Sequence, residues 1–258
     1  MPLVRLEVEP PLAALTLARP ERHNSLVPDL LRDLLAALAE VRGRPDVRAV
    51  VFQAEGRSFS TGGDLRGFQA HQADLAVYAH ELVGLLNDAI LALVELPQPV
   101  VAAVHGQVTG GSLGLVLAAD IILVAPEASF TPYYATVGFS PDGGWTALLP
   151  DVIGPKRAAA ALLLDQVISA EQAVAWGLAE RCVPGENLAA EARAAGRRLA
   201  ALQAGSQLRA RRLLWPEVSE LARRLEAERQ QFLAQVLTPE AALGLARFLA
   251  PKTERPDL

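Results

Sequence analysis

Two glycine-bearing segments carry the strongest chemical signal in this chain: Gly56 to Leu65 (GRSFSTGGDL) and His105 to Gly114 (HGQVTGGSLG). Each follows an apolar, β-branched run, and each precedes a stretch that reads as helix. A glycine at such a turn lets the backbone approach a ligand closely and leaves amide N–H groups pointing outward. Two such turns could present one N–H each to a single developing oxyanion. The chemistry that suits them is acyl chemistry, stabilised electrostatically rather than by a metal.

Other motifs narrow the field. Gly110 to Gly114 matches G-x-S-x-G, the nucleophile elbow of serine hydrolases, which requires the chain order Ser, acid, His. All four histidines (His23, His71, His80 and His105) precede Ser112, so the order excludes an elbow. No H-E-x-x-H, cysteine pair or Asp-rich calcium loop occurs, and neither does a G-x-G-x-x-G or Walker pattern. No metal is expected. His71 and His80 lie on a polar stretch and read as solvated surface.

Asp142, in Ser140 to Trp145 (SPDGGW), is the carboxylate to single out. It has two readings. One is a helix N-cap, which satisfies orphan N–H groups. The other is a general base with a raised pKa on a pocket wall lined by Phe139 and Trp145. Asp64, directly after Gly62 and Gly63, reads as a cap.

The elements that must position these groups alternate. Ala13 to Leu17 reads as a strand closed by the Arg19-Pro20 turn, and Ser25 or Asp29 could begin a helix reaching Val41. Arg48 to Phe52 and Val100 to Val104 are buried strands leading into the two glycine segments. Between them a helix is predicted from about Ala73 to Val94, stopped by Pro97 and Pro99. A helix from Leu113, a strand Ile121 to Val124 and an extended piece around Phe130 follow. The alternation predicts an α/β core. From about Ala190 onward Ala, Leu, Arg and Glu dominate, which reads as several helices.

Composition excludes several partners. The 258 residues are 51% hydrophobic with a formal net charge of -5, so the chain is globular, and nucleic acid is not an expected partner. The sole cysteine, Cys182, cannot form an intramolecular disulfide. The start of the chain carries Arg5, Glu7 and Glu9 rather than a signal-peptide core, and the apolar stretch Leu115 to Ala125 is too short to span a bilayer. A soluble cytoplasmic protein with no membrane partner is the expectation.

Taken in order, these segments resemble the crotonase (enoyl-CoA hydratase/isomerase) superfamily over nearly the whole chain. Leu17 to Leu26 looks like its opening turn, Phe59 to Leu65 like its first oxyanion segment, and Ala102 to Gly106 with Gly110-Gly111 like its second. Ala119 to Ile121 and the tail Arg247 to Lys252 also fit. The resemblance implies a ββα spiral core over residues 1–190 and a helical C-terminal region over 191–258 used in assembly of a homotrimer or dimer of trimers. It implies no prosthetic group, with a coenzyme A thioester as substrate. The thioester oxygen would sit between the N–H groups of Gly63 and Gly111. Arg22 and Thr61 would help bind CoA, with Phe248 and Lys252 contributed by a neighbouring subunit.

The departures from the family pattern bear on the chemistry. Hydratases that this chain resembles use two glutamates, whose aligned positions here are Gly114 and Tyr134. In isomerase branches similar to the phenylacetate-pathway enzyme, an Asp in a Pro-Asp-Gly-Gly-like context carries the acid/base role, and Pro141 to Gly144 matches it. The resemblance therefore favours an enoyl-CoA isomerase with Asp142 as acid/base. Alternatives are an enoyl-CoA hydratase, a non-catalytic acyl-CoA-binding protein, and an enzyme similar to 4-chlorobenzoyl-CoA dehalogenases. The last lacks a histidine between His80 and His105 to complete its set.

Overall fold

A computed structural model describes residues 2–215 and 217–250. The chain opens on a hairpin of β1 (Val4–Glu9) and β2 (Leu12–Leu17), then runs through α1 (Pro28–Arg42) to β3 (Ala49–Ala54). The first glycine segment leads into α2 (Leu65–Ala70) and α3 (Leu75–Val94). Next come β4 (Val100–Val104), β5 (Gln107–Thr109), α4 (Ser112–Leu117), β6 (Ile121–Val124), β7 (Ser129–Thr131) and α5 (Tyr134–Val137). The order continues with α6 (Leu149–Ile153), α7 (Pro155–Leu163), β8 (Ile168–Ser169), α8 (Ala170–Ala175) and β9 (Arg181–Cys182). Four helices finish the described chain: α9 (Gly185–Ala200), α10 (Ala204–Leu214), α11 (Val218–Val236) and α12 (Pro239–Leu249).

The main sheet runs β1-β2-β3-β4-β6-β9, antiparallel only at the β1–β2 hairpin. Its central strands are buried on both faces, which is why they read as continuous apolar runs. Alternation splits β4 between two cores. Val100, Ala102 and Val104 join the larger one, while Val101 and Ala103 pack with Leu188 and Ala192 of α9. A second sheet, β5-β7-β8, lies beside the first. Both glycine segments leave the carboxyl ends of neighbouring parallel strands, β3 and β4, where open α/β sheets place their ligands.

The structure corrects two local readings and places a third element as expected. Helix α1 is opened by Pro28, with Val27 at the cap and no capping side chain. Proline presets φ for a first helical turn, so neither Ser25 nor Asp29 is needed there. Strand β1, with its alternating charges, was not predicted; it pairs all along β2 and buries Val4 while its charged residues face outward. Helix α3 is apolar and long enough to cross a membrane. Yet Leu82, Leu86, Ile90 and Leu93 are buried in the larger core, against α1 and α11.

Candidate active site

The two glycine segments are stitched together by buried polar groups. Asn24 is fully buried; its side chain donates to Glu55 O and Ser58 O and accepts from Arg19 N, tying the opening turn to the first segment. Ser60 Oγ donates to Asn24 O and lies 2.6 Å from Ser112 Oγ, which accepts from Gly62 N at 2.8 Å. Ser112, the serine of the G-x-S-x-G match, is 0% exposed. It couples the segments instead of attacking a substrate. Among the described residues, the amides of Gly63 and Gly111 donate to no protein acceptor, and both glycines line the same cavity.

Asp142 closes that cavity from the side. It is 7% exposed, and a Cβ on Gly111 would lie 3.0 Å from its Oδ1. The capping reading is overturned: residues 143–148 form turns, and the next helix, α6, has Leu148 at its cap. Instead, Tyr134 Oη donates to Asp142 Oδ1 at 2.5 Å and to Asp142 O at 3.0 Å. Gly143 and Gly144 have φ of +59° and +90°, a left-handed pair that glycine adopts without a Cβ penalty. The turn presses this loop onto the start of α4. Trp145 is not a pocket wall; it is buried beneath the second segment, its Nε1 donating to Gly110 O at 2.7 Å.

Burial pushes the Asp142 carboxyl up to about 7. The Tyr134 hydroxyl bond works against that rise and the charge of Glu228 adds to it. Burial, then the neighbouring carboxylate, push the Tyr134 hydroxyl itself well up, so it stays a donor. Such a carboxyl exchanges its proton near neutral pH, where a general acid/base works best. Tyr134→Phe removes the bond that favours the ionised form. The expected result is a shift of the ionisation of Asp142 to higher pH, read as a later rise in the kcat/KM–pH profile; an unmoved profile would show that the hydroxyl does not tune the carboxyl.

The cavity encloses about 510 Å³. Its inner end is apolar, with Phe68, Leu82, Leu86, Phe139 and Phe232 on its walls. Phe68, Phe139 and Phe232 pack ring to ring with centroids 5.4–5.9 Å apart. Tyr133 and Tyr134 also reach the cavity, while Tyr78 stacks on His71 behind the wall. That stacking leaves His71 half-buried, with Nδ1 on Gly67 O, rather than freely solvated.

At the mouth stand Arg22, His23, Thr61 and Arg66. Arg22 reaches Asp64 at 3.1 Å, as does Arg19, and Asp64 also accepts from Arg66 N at the start of α2. Burial would raise the Asp64 carboxyl, but the two guanidinium groups outweigh it and hold it below the usual carboxylate range. Asp64 is therefore both cap and clamp. Phe248 lines the cavity of its own chain, edge-on to Tyr133, because α12 folds back against α5 and α2. Lys252 lies outside the described residues.

Sequence reasoning missed three contributors. Phe232 carries no local signal beyond helical periodicity. Arg66 follows the glycine pair closely and could have been suspected from its charge. Glu228 accepts from Gly144 N, Thr146 N, Thr146 Oγ1 and Ala147 N, a role invisible in a charged helix.

A spiral core with two unpaired amides over an apolar chamber, a buried carboxylate beside them and arginine at the mouth is the construction of an acyl-transforming enzyme. Known proteins agree. The profile of the enoyl-CoA hydratase/isomerase family matches residues 7–253. The chain is 37% identical over 253 residues to a Mycobacterium bovis protein named as an enoyl-CoA hydratase, echA12, covering 94% of this chain and 89% of that one. It is 31% identical to the 1,2-epoxyphenylacetyl-CoA isomerase of Escherichia coli, covering 98% of this chain and 97% of the relative. Among solved structures, Pseudomonas aeruginosa OdaA superposes with a TM-score of 0.87 at 31% identity, covering 97% and 100% of the two chains. The chain belongs to the enoyl-CoA hydratase/isomerase (crotonase) family, whose members transform acyl-CoA thioesters.

Proposed function

We propose that this enzyme is an enoyl-CoA isomerase that moves a C3–C4 double bond into conjugation at C2–C3. The thioester oxygen accepts from the N–H groups of Gly63 and Gly111. Asp142 takes a proton from C2, the electron pair delocalises into a dienolate, and the same carboxyl returns the proton to C4. Preorganised donors of this kind are each worth about 3 kcal/mol of transition-state stabilisation.

The observation that carries this reading is the single available carboxylate among the described residues. Of the three described acids lining the cavity, Asp64 is held by two arginines and Glu21 stands at the exposed mouth, leaving Asp142 beside the Gly111 amide. Isomerisation needs one exchanging carboxyl. Hydration needs one group to activate water and another to protonate the α-carbon. Hydratase is the second reading, favoured by the naming of the echA12 relative. The 1,2-epoxyphenylacetyl-CoA isomerase supports the first only as a relative named for isomerisation.

The deciding experiment compares 3-enoyl-CoA and 2-enoyl-CoA substrates side by side, in ordinary and deuterated water. Conversion of the 3-enoyl thioester to the conjugated 2-enoyl product is expected. Hydration of the 2-enoyl thioester with an inert 3-enoyl thioester would overturn the assignment. We further propose that Arg22, Thr61, Phe248 and Lys252 hold the CoA moiety, that no prosthetic group takes part, and that the enzyme works in the cytoplasm as a homotrimer or dimer of trimers. Leu213 and Leu214 of α10, 87% and 84% exposed in the single chain, support assembly. A native mass of three or six chains is the expected measurement.

A further inference from the structure

Glu228 is a buried carboxylate that the proposed reaction does not touch. It is 5% exposed and sits on α11, more than eighty residues beyond the loop it holds. Four donors meet its two oxygens: Gly144 N at 2.8 Å, Thr146 N at 2.6 Å, Thr146 Oγ1 at 2.7 Å and Ala147 N at 2.9 Å. All of these groups donate, so both Glu228 oxygens serve as acceptors. The amides belong to the residues immediately after Asp142, in a turn with no helix or sheet ladder of its own. Without Glu228 the buried amides of Gly144 and Ala147 would be left without an acceptor, which a folded chain disfavours.

We propose that Glu228 is the positioning residue of the active-site loop: it fixes residues 144–147, and thereby Asp142, against the second glycine segment. This rests on Asp142 being the exchanging group. The surrounding charges support it. Tyr134 of α5 faces Asp142 by its hydroxyl, and the neighbouring groups of α3 and α4, Leu86 and Gly111, carry no charge. On α11, Arg224 is engaged by Asp151 and Arg229 by Glu226, which also feels His80 of α3. Among the described residues, Glu228 is the charged side chain that acts on Asp142, and it acts to disfavour ionisation. The two buried groups oppose each other, Tyr134 favouring the carboxylate and Glu228 the acid.

The test uses full-length protein with carboxyl-labelled aspartate, reading the Asp142 titration by NMR with Asp142→Asn to assign the signal. Glu228→Gln should lower the Asp142 midpoint by roughly half a unit to one unit. It should also lower kcat by up to about 100-fold, with KM for the 3-enoyl-CoA within a few-fold, because a displaced loop misplaces the base. Glu228→Asp keeps the charge on a shorter arm, so its midpoint should stay near that of the parent while kcat falls. A folded Glu228→Gln protein with unchanged midpoint and kcat would overturn the proposal, as would equal kcat losses in both variants with neither midpoint moved. If the Gln variant does not fold, the Asp variant decides: parental midpoint with reduced kcat supports the proposal, and unchanged kcat overturns it. The titration needs no turnover. A shifted midpoint in a protein inert toward 3-enoyl-CoA would retain the role of Glu228 and reject the isomerase reading.

Discussion

Asparagine in place of Asp142 lowers turnover of a 3-enoyl-CoA by about 10²–10⁴-fold, the usual contribution of a general acid/base. Asn can still accept the Tyr134 hydroxyl bond made to Asp142 Oδ1, so the loop keeps its shape. What it cannot do is cycle a proton. The loss therefore falls on kcat, with acyl-CoA binding close to that of the parent. Turnover within a few-fold of the parent would remove Asp142 from the mechanism.

The same substitution makes the protein more stable at alkaline pH. Burial raises the folded-state pKa of Asp142 from 3.8 to about 7, so the folded form is penalised for ionising. That penalty is absent below about pH 3.8, grows between there and about pH 7, and is constant above. Asn at 142 removes it, giving a gain on the order of 2–4 kcal/mol at pH 8 that disappears toward pH 4. Thermal melts of the two proteins at both pH values check the sign. A stabilised but inert variant is the signature of a strained functional carboxyl.

The second large effect concerns Gly114, the position that the family resemblance aligns with a hydratase glutamate. A Cβ there would fall well inside contact distance of Gly143 O and Ile90 Cδ1. Alanine in this short helix would gain about 1 kcal/mol of propensity over glycine. Overpacking against a backbone carbonyl costs about 1–3 kcal/mol or more, so the clash wins. Gly114→Ala should lower Tm by a few degrees, at about 2–4 °C per kcal/mol for a chain of this size, and lower kcat because Gly143 adjoins Asp142. Gly114→Glu adds a buried charge costing several kcal/mol more. Reinstating both glutamates, Gly114→Glu with Tyr134→Glu, should give a poorly folded protein and no hydratase. A soluble, folded double variant that hydrates 2-enoyl-CoA would refute this account of the site.

The glycine at 114 and the glycine pair at 143–144 are thus two sides of one contact. A Cβ on Gly143 would likewise collide with the backbone of Gly111. In the sequence these glycines look like ordinary turn residues thirty positions apart. Their closeness is what leaves no room for a hydratase carboxylate and seats Asp142 beside the second amide.

Much of the frame was legible because it is encoded locally. Strands β4 and β6 fall where the apolar runs predict, since strands buried on both faces must be continuously apolar. The two glycine segments were legible as turns that bring backbone amides to one cavity, and the position of every histidine before Ser112 excluded the hydrolase. Strand β1 escaped notice because charges interrupt its apolar positions on an edge exposed to water.

What only the tertiary structure decided is the use of each polar group. Asp142 reads as a cap or a base until its neighbours are known; the turn that follows it removes the cap, and Tyr134, eight residues away, supplies its buried hydrogen bond. Ser112 becomes a buried link to Gly62, fifty residues earlier. Glu228 becomes the anchor of a loop eighty-four residues before it. Local periodicity records which face of an element is apolar, because burial acts on every turn or every second residue. A single long-range hydrogen bond leaves no such repeat in the chain. The sequence alone determined the scaffold and the paired glycine turns; the packing of α5 and α11 around the Asp142 loop determined that this carboxyl is buried beside the second glycine segment.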